Sequence, residues 1–95
     1  MIIALALSLA TQADLSQRAA TQYALADAEM TRVYREIERS PALVQAQRAW
    51  LAYRDAHCRW DHDATPAGSM YGMEEAMCKT GLTRERTRVL RSAAR

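Results

Sequence analysis

The chain has little of what marks most functional classes. Its formal charge is only +2 over 95 residues, too small an excess to argue by itself for nucleic acid. No apolar run approaches the roughly 20 residues needed to cross a bilayer, and no strand alternation, internal repeat or low-complexity tract is present. Only two cysteines occur, enough for one cross-link and no more. With 49% hydrophobic and 25% charged residues the composition is that of an ordinary folded domain. A single domain of this length buries a modest core and benefits from a staple.

What is present is helical. Leu15, Ala19, Tyr23, Ala26, Met30, Val33 and Ile37 recur at spacings of four and three, which predicts an amphipathic helix of about six turns. Ser40 and Pro41 suit the N-cap and first position of a second helix, running to Trp60 or Asp63, so the first two helices form an antiparallel hairpin. D-A-T-P-A-G-S, residues 63–69, is the one loop, with Ser69 as a cap for a third helix from Met70. In that helix Met70, Met73 and Met77 form one stripe while Leu82, Val89 and Leu90 continue on a rotated face. The offset predicts a kink at Thr80 and Gly81 with Thr83 capping a last helix. The expectation is an all-α bundle of three to four helices.

Two polar residues interrupt the second helix. Within A-Q-R-A-W-L-A-Y-R-D-A-H-C, residues 46–58, Gln47 and Arg54 lie near the middle of the face shared by Leu43, Trp50, Leu51 and Cys58. A guanidinium buried there needs a carboxylate; the first helix offers Asp27 and Glu29.

Few constellations suggest chemistry. Cys58 and His62 stand at i and i+4, and Cys78 could join them on zinc; the rival is a Cys58–Cys78 disulfide closing the loop, worth about 3 kcal/mol. His57 and His62 lack a nucleophile and orienting group in sequence, and the pairs Asp61/Asp63 and Glu74/Glu75 show no sign of burial that would separate their acidities. The reading is no catalytic residue, no cofactor and no metal. Met73 and Met77 are expected in the core, with Met70 and Tyr71 free for contact. The first ten residues carry an apolar stretch and a small-x-small site at 8–10, read as the end of an export signal. From Lys79 onward six basic residues face one acid, Glu85; such a tail either holds an anionic surface or complements a helix dipole.

The segment 46–58, together with G-S-M at 68–70, Cys78, L-T-R-E-R at 82–86 and A-D-A-E-M-T-R-V-Y at 26–34, resembles the LprI-type lysozyme-inhibitor domain. The resemblance spans about Gln12 to Val89. It implies a small helical protein of the bacterial envelope, periplasmic or secreted, whose two cysteines pair with each other. Asp27, Tyr34, Gln47, Arg48, Trp50, Arg54, Asp55 and Arg86 would be its structural motif residues. Relatives usually carry two further cysteines near the N-terminus, and Arg18 stands where one is expected. The partner implied is a lysozyme-like muramidase, met by the loop end with Asp61, Asp63, Gly68, Ser69, Met70 and Tyr71. Common lysozymes are basic, so a chain of charge +2 would inhibit weakly or selectively, through a local acidic face of Asp61, Asp63, Glu74 and Glu75. The rival is an accessory or stress protein that binds cell wall, anionic lipid or an envelope protein through the basic tail.

Overall fold

The structure is a computed structural model that describes residues 2–61 and 71–93, with side chains from residue 11 onward except those of residues 12 and 71. Three helices account for it: α1 (Ile2–Glu36), α2 (Pro41–Asp61) and α3 (Tyr71–Ala93). α1 extends further towards the N-terminus than the apolar periodicity indicates, because its backbone is continuous from Ile2. The expected loop, 62–70, and with it the cap at Ser69, lies outside the described residues.

The link between α1 and α2 forms as the sequence predicts. Ser40 Oγ accepts the Leu43 N–H at 3.1 Å, the Ser40 carbonyl accepts the Val44 N–H at 3.1 Å, and Pro41 needs no partner for a hydrogen it lacks. α1 and α2 run antiparallel, as shown by Arg54 meeting Asp27 and Gln47 meeting Met30. Among the described residues, however, no Cα of α1 comes within 8 Å of a Cα of α2. The close backbone partner of α1 is α3, which runs parallel to it at a constant offset of 62 residues: Arg84 donates to Gln22, and Arg91 to Glu29.

Side-chain size explains this unequal triangle. Through the middle of the bundle the buried residues of α1 and α3 are small, Ala26 on one side and Thr80, Thr83 and Thr87 on the other, so the backbones approach closely. α2 meets the pair through Gln47, Trp50 and Arg54, which hold it further off. A threonine stripe is affordable in a helix interior because each hydroxyl can bond locally. Thr80 donates to the Ala76 carbonyl and Thr87 to the Thr83 carbonyl, both at 2.8 Å.

That stripe corrects the expected break in α3. Thr80, Thr83, Thr87 and Leu90 repeat at spacings of three, four and three, a straight helical face that needs no kink, and α3 is continuous through Gly81. Thr83 is a fully buried interior residue rather than a cap. The methionine stripe shifts with it. Met77 is 59% exposed, not core, and Met73 is half-buried. Val89 faces solvent as well.

Along the bundle the interior changes character. Met30, Val33 and Leu90, with Tyr34, Ile37, Leu43, Trp50 and Leu51 packed on them, fill the end near the α1–α2 link. Polar side chains fill the middle, and the Cys58–Cys78 disulfide, with Cα atoms 5.7 Å apart, ties α2 to α3 at the other end. The molecule extends 59 × 25 × 14 Å. The buried hydrophobics among the described residues are Ala26, Met30, Val33, Cys58 and Leu90, so the apolar core is thin and the cross-link matters.

Gly81 tests the continuity of α3. A Cβ there meets nothing within 4 Å, so Gly81→Ala should stabilise by about 0.5–1 kcal/mol and raise Tm by several degrees. A lowered Tm would mean that the backbone at this position is not helical in solution.

Candidate functional site

The middle of the bundle is built round Arg54. Its side chain is 7% exposed, placed there by the helical phase of α2. Its Nη1 donates to Asp27 Oδ1 at 3.0 Å and, more weakly at 3.4 Å, to Thr83 Oγ1; its Nε donates to Asp55 Oδ1 at 2.9 Å. The guanidinium also lies 5.3 Å from the Tyr23 ring centroid and 5.5 Å from that of Trp50. Every helix therefore contributes: α1 gives Asp27 and Tyr23, α2 gives Asp55 and Trp50, α3 gives Thr83. Burial opposes the charge, yet the bonds to Asp55 and Asp27 outweigh it and raise the Arg54 pKa above the usual guanidinium range. A raised pKa in a base means that its stabilising contribution is complete below the unfolded value and is lost only as pH climbs through the folded one. Arg54 is thus a fixed charge at any physiological pH.

A second layer extends the network. Lys79 pairs with Glu75 at 3.1 Å, reaches Asp55 at 3.9 Å and sits over Tyr23. Arg86 donates to Gln47 Oε1 at 3.0 Å and lies over Trp50, while Gln47 donates to the Met30 sulfur at 3.6 Å. Arg54, Lys79 and Arg86 face Asp27, Asp55 and Glu75, so the assembly of ions is close to neutral. Asp27 and Asp55 keep 43% and 45% of their side-chain surface in water; only the guanidinium is deeply desolvated.

Of the residues singled out from the sequence, Asp27, Gln47, Trp50, Arg54, Asp55 and Arg86 come together here. Tyr34 and Arg48 do not; they line a groove between α1 and α2. Glu29, the other candidate partner of Arg54, instead pairs with Arg91 and Arg32. Asp61 is exposed at the end of α2, whereas Asp63, Gly68, Ser69 and Met70, and the side chain of Tyr71, lie outside the described residues. Glu75 is spent on Lys79 and only 23% exposed, so the acidic face expected at the loop end is reduced, and that acid is not solvent-facing. Tyr23, Glu75, Lys79 and the threonines were missed by sequence reasoning. The 3-4-3 spacing of Thr80, Thr83, Thr87 and Leu90 was the signal for α3.

Among the described residues three surfaces stand out for contact. On α2, Tyr53, His57 and Trp60 form an aromatic row with ring centroids 5.3 and 5.6 Å apart; His57 is half-buried, and Trp60 is 71% exposed. Between α1 and α3 a groove is lined by Leu15, Ala19, Met73 and Met77. The third is the α1–α2 groove. The neighbours of His57 in that row are rings, and Cys58 is wholly buried in the disulfide, which leaves neither as a nucleophilic couple. Among the described residues no group of three or more His, Cys, Asp or Glu could hold a metal ion, and no helix is long and apolar enough to cross a membrane.

Geometry and chemistry thus define a small, disulfide-tied three-helix protein organised round a buried arginine. The family model "Lysozyme inhibitor LprI" matches residues 6–90, and the chain belongs to that family. It is also 33% identical over 100 residues to an uncharacterized protein of Rhizobium meliloti (strain 1021), with 85% of this chain and 72% of that one covered. No solved structure matches.

The half-exposed acids decide what mutation should do. Arg54→Ala leaves Asp27 and Asp55 able to hydrate, so its cost comes from lost packing and bonds, about 2–3 kcal/mol. The double change Asp27→Ala with Asp55→Ala strands a buried guanidinium and should cost more, about 3–5 kcal/mol. Arg54→Lys should recover only part of the loss, since Lys lacks the planar fork. Chemical denaturation of the four proteins orders them; an Arg54→Ala variant within about 0.5 kcal/mol of wild type would show that the network carries no stability. Reduction of the disulfide should likewise lower Tm, by an amount that corresponds to about 3 kcal/mol.

Proposed function

We propose that this protein is an exported, non-enzymatic binding protein of the bacterial envelope that inhibits a lysozyme-class muramidase. The observation that carries the reading is the family match across most of the chain. Two structural facts support it. The disulfide suits an oxidising compartment, and it fixes the ends of α2 and α3 on either side of 62–70, so that this end of the bundle is a rigid frame for a contact segment.

The working surface in this reading is the loop end: Asp61, Asp63, Gly68, Ser69, Met70 and Tyr71, joined by the neighbouring aromatic row. Protein interfaces draw most of their energy from a few Trp, Tyr and Arg anchors, and Trp60 and Tyr53 supply two beside Asp61. A muramidase cleft is built round two carboxylates, which a loop held on a stiff frame can enter. The rival reading, an anionic surface held by the basic tail, loses support because Lys79, Arg84, Arg86 and Arg91 each bond another side chain of this chain, Arg84 and Arg91 at the surface.

Muramidase activity measured against the purified chain should fall at about 1–50 µM inhibitor. Trp60→Ala should weaken inhibition about tenfold or more with Tm unchanged, and added salt should slow association if Asp61 steers it. Full muramidase activity at about 50 µM inhibitor, across host and bacterial enzymes, would refute the assignment.

A further inference from the structure

Most described cations bond a carboxylate or a side-chain amide, but Arg35, Arg39 and Arg48 do not, and all three line the α1–α2 groove. The groove exists because Gln47 and Arg54 keep α2 away from α1 while α3 fills the opposite side. It measures ≈ 420 Å³ and has Met30 and Leu51 among its walls. Arg39 is held 5.8 Å over the Tyr34 ring, itself a wall of the groove, and with Arg48 borders an adjoining hollow beside Pro41 and Val44. Including Arg54, four guanidiniums meet one carboxylate, Asp27, which Arg54 already binds.

The dipole of α1 accounts for Arg35, in its last turn. It does not account for Arg48, well inside α2 and in no ion pair among the described residues. Three uncompensated cations round one concavity repel one another, and a bound anion relieves the repulsion. We propose that this groove binds a phosphate group, either free or on a lipid headgroup. Guanidinium forks bond phosphate oxygens in pairs, and a phosphomonoester carries about −1.5 to −2 charge at pH 7, which matches several cations better than a single carboxylate does. The apolar walls leave room for what the phosphate is attached to. The site is separate from the loop end and does not depend on muramidase inhibition.

The test titrates the intact chain with pyrophosphate at constant ionic strength, followed by ¹H–¹⁵N NMR that includes arginine Nε signals, and sediments it with phosphatidylglycerol or phosphatidylcholine vesicles. Saturable shifts are expected at Thr31, Tyr34, Arg35, Arg39 and Arg48. Arg39→Gln and Arg48→Gln should each weaken binding about fivefold at unchanged Tm, whereas Arg59→Gln and Arg88→Gln, equally unpaired but elsewhere, should not. Sedimentation with phosphatidylglycerol alone, lost in Arg48→Gln, assigns a lipid headgroup; saturable pyrophosphate binding without vesicle binding assigns a soluble phosphate. No saturable binding to either, or equal losses in all four variants, overturns the site. Muramidase inhibition should be the same in Arg48→Gln and wild type, so the two assignments fail separately.

Discussion

Arg54 is the constraint from which the geometry of the bundle follows. A desolvated guanidinium must be answered by carboxylates, and here those come from α1 and from α2 itself, with a hydroxyl from α3. Satisfying it fixes the register of all three helices at once. It also sets their spacing, because a side chain of that length, flanked by Trp50 and Gln47, cannot lie between helices packed as tightly as α1 and α3. A leucine in its place would bury more apolar surface and specify the register less.

The consequence is a bundle whose cohesion comes from different sources at different heights. Apolar contact serves one end, where Met30, Val33 and Leu90 meet. Charge and hydrogen bonding serve the middle. Covalent linkage serves the other end, where Cys58 of α2 is joined to Cys78 of α3. Each source alone is weak in a chain this small. The polar middle is tolerable because its acids stay wet: Asp27 and Asp55 give up only about half of their exposure, so the desolvation falls mainly on one group that three partners then satisfy.

How much of this the sequence discloses depends on the kind of signal. The hairpin boundary at Ser40 and Pro41 was legible because capping is local chemistry. The burial of Gln47 and Arg54 was legible because a polar residue in an apolar stripe violates periodicity. The pairing with Asp27 was half legible: two acids were in reach, and the phase of α1 relative to α3 decided between them by giving Glu29 to Arg91. The parallel contact of α1 and α3 was not legible. It rests on alanine and threonine, residues that hydropathy patterns count as weak or polar, so the methionines drew attention to a face that is largely exposed at Met77. The same oversight produced the expected break at Gly81. For the functional surface, the loop residues fall outside what the structure describes, and the aromatic row on α2 could not be told from core by spacing alone.

Charge accounting separates the surfaces of this molecule more sharply than exposure does. Cations spent on Asp27, Asp55, Glu75, Glu29 and the amides of Gln22 and Gln47 are structural; they hold helices together and are poorly placed to meet a ligand. That leaves Arg88 as the described cation of α3 outside these bonds, fewer than its composition alone suggests. The cations left over are few, and three of them share a single concavity at the end of the bundle opposite the disulfide. The loop end, with its cross-link, aromatic row and Asp61, has a different chemistry altogether. Among the described residues the cationic groove lies towards one end of the bundle and the aromatic row of α2 towards the other, with the near-neutral network of Arg54, Lys79, Asp27, Asp55 and Glu75 between them.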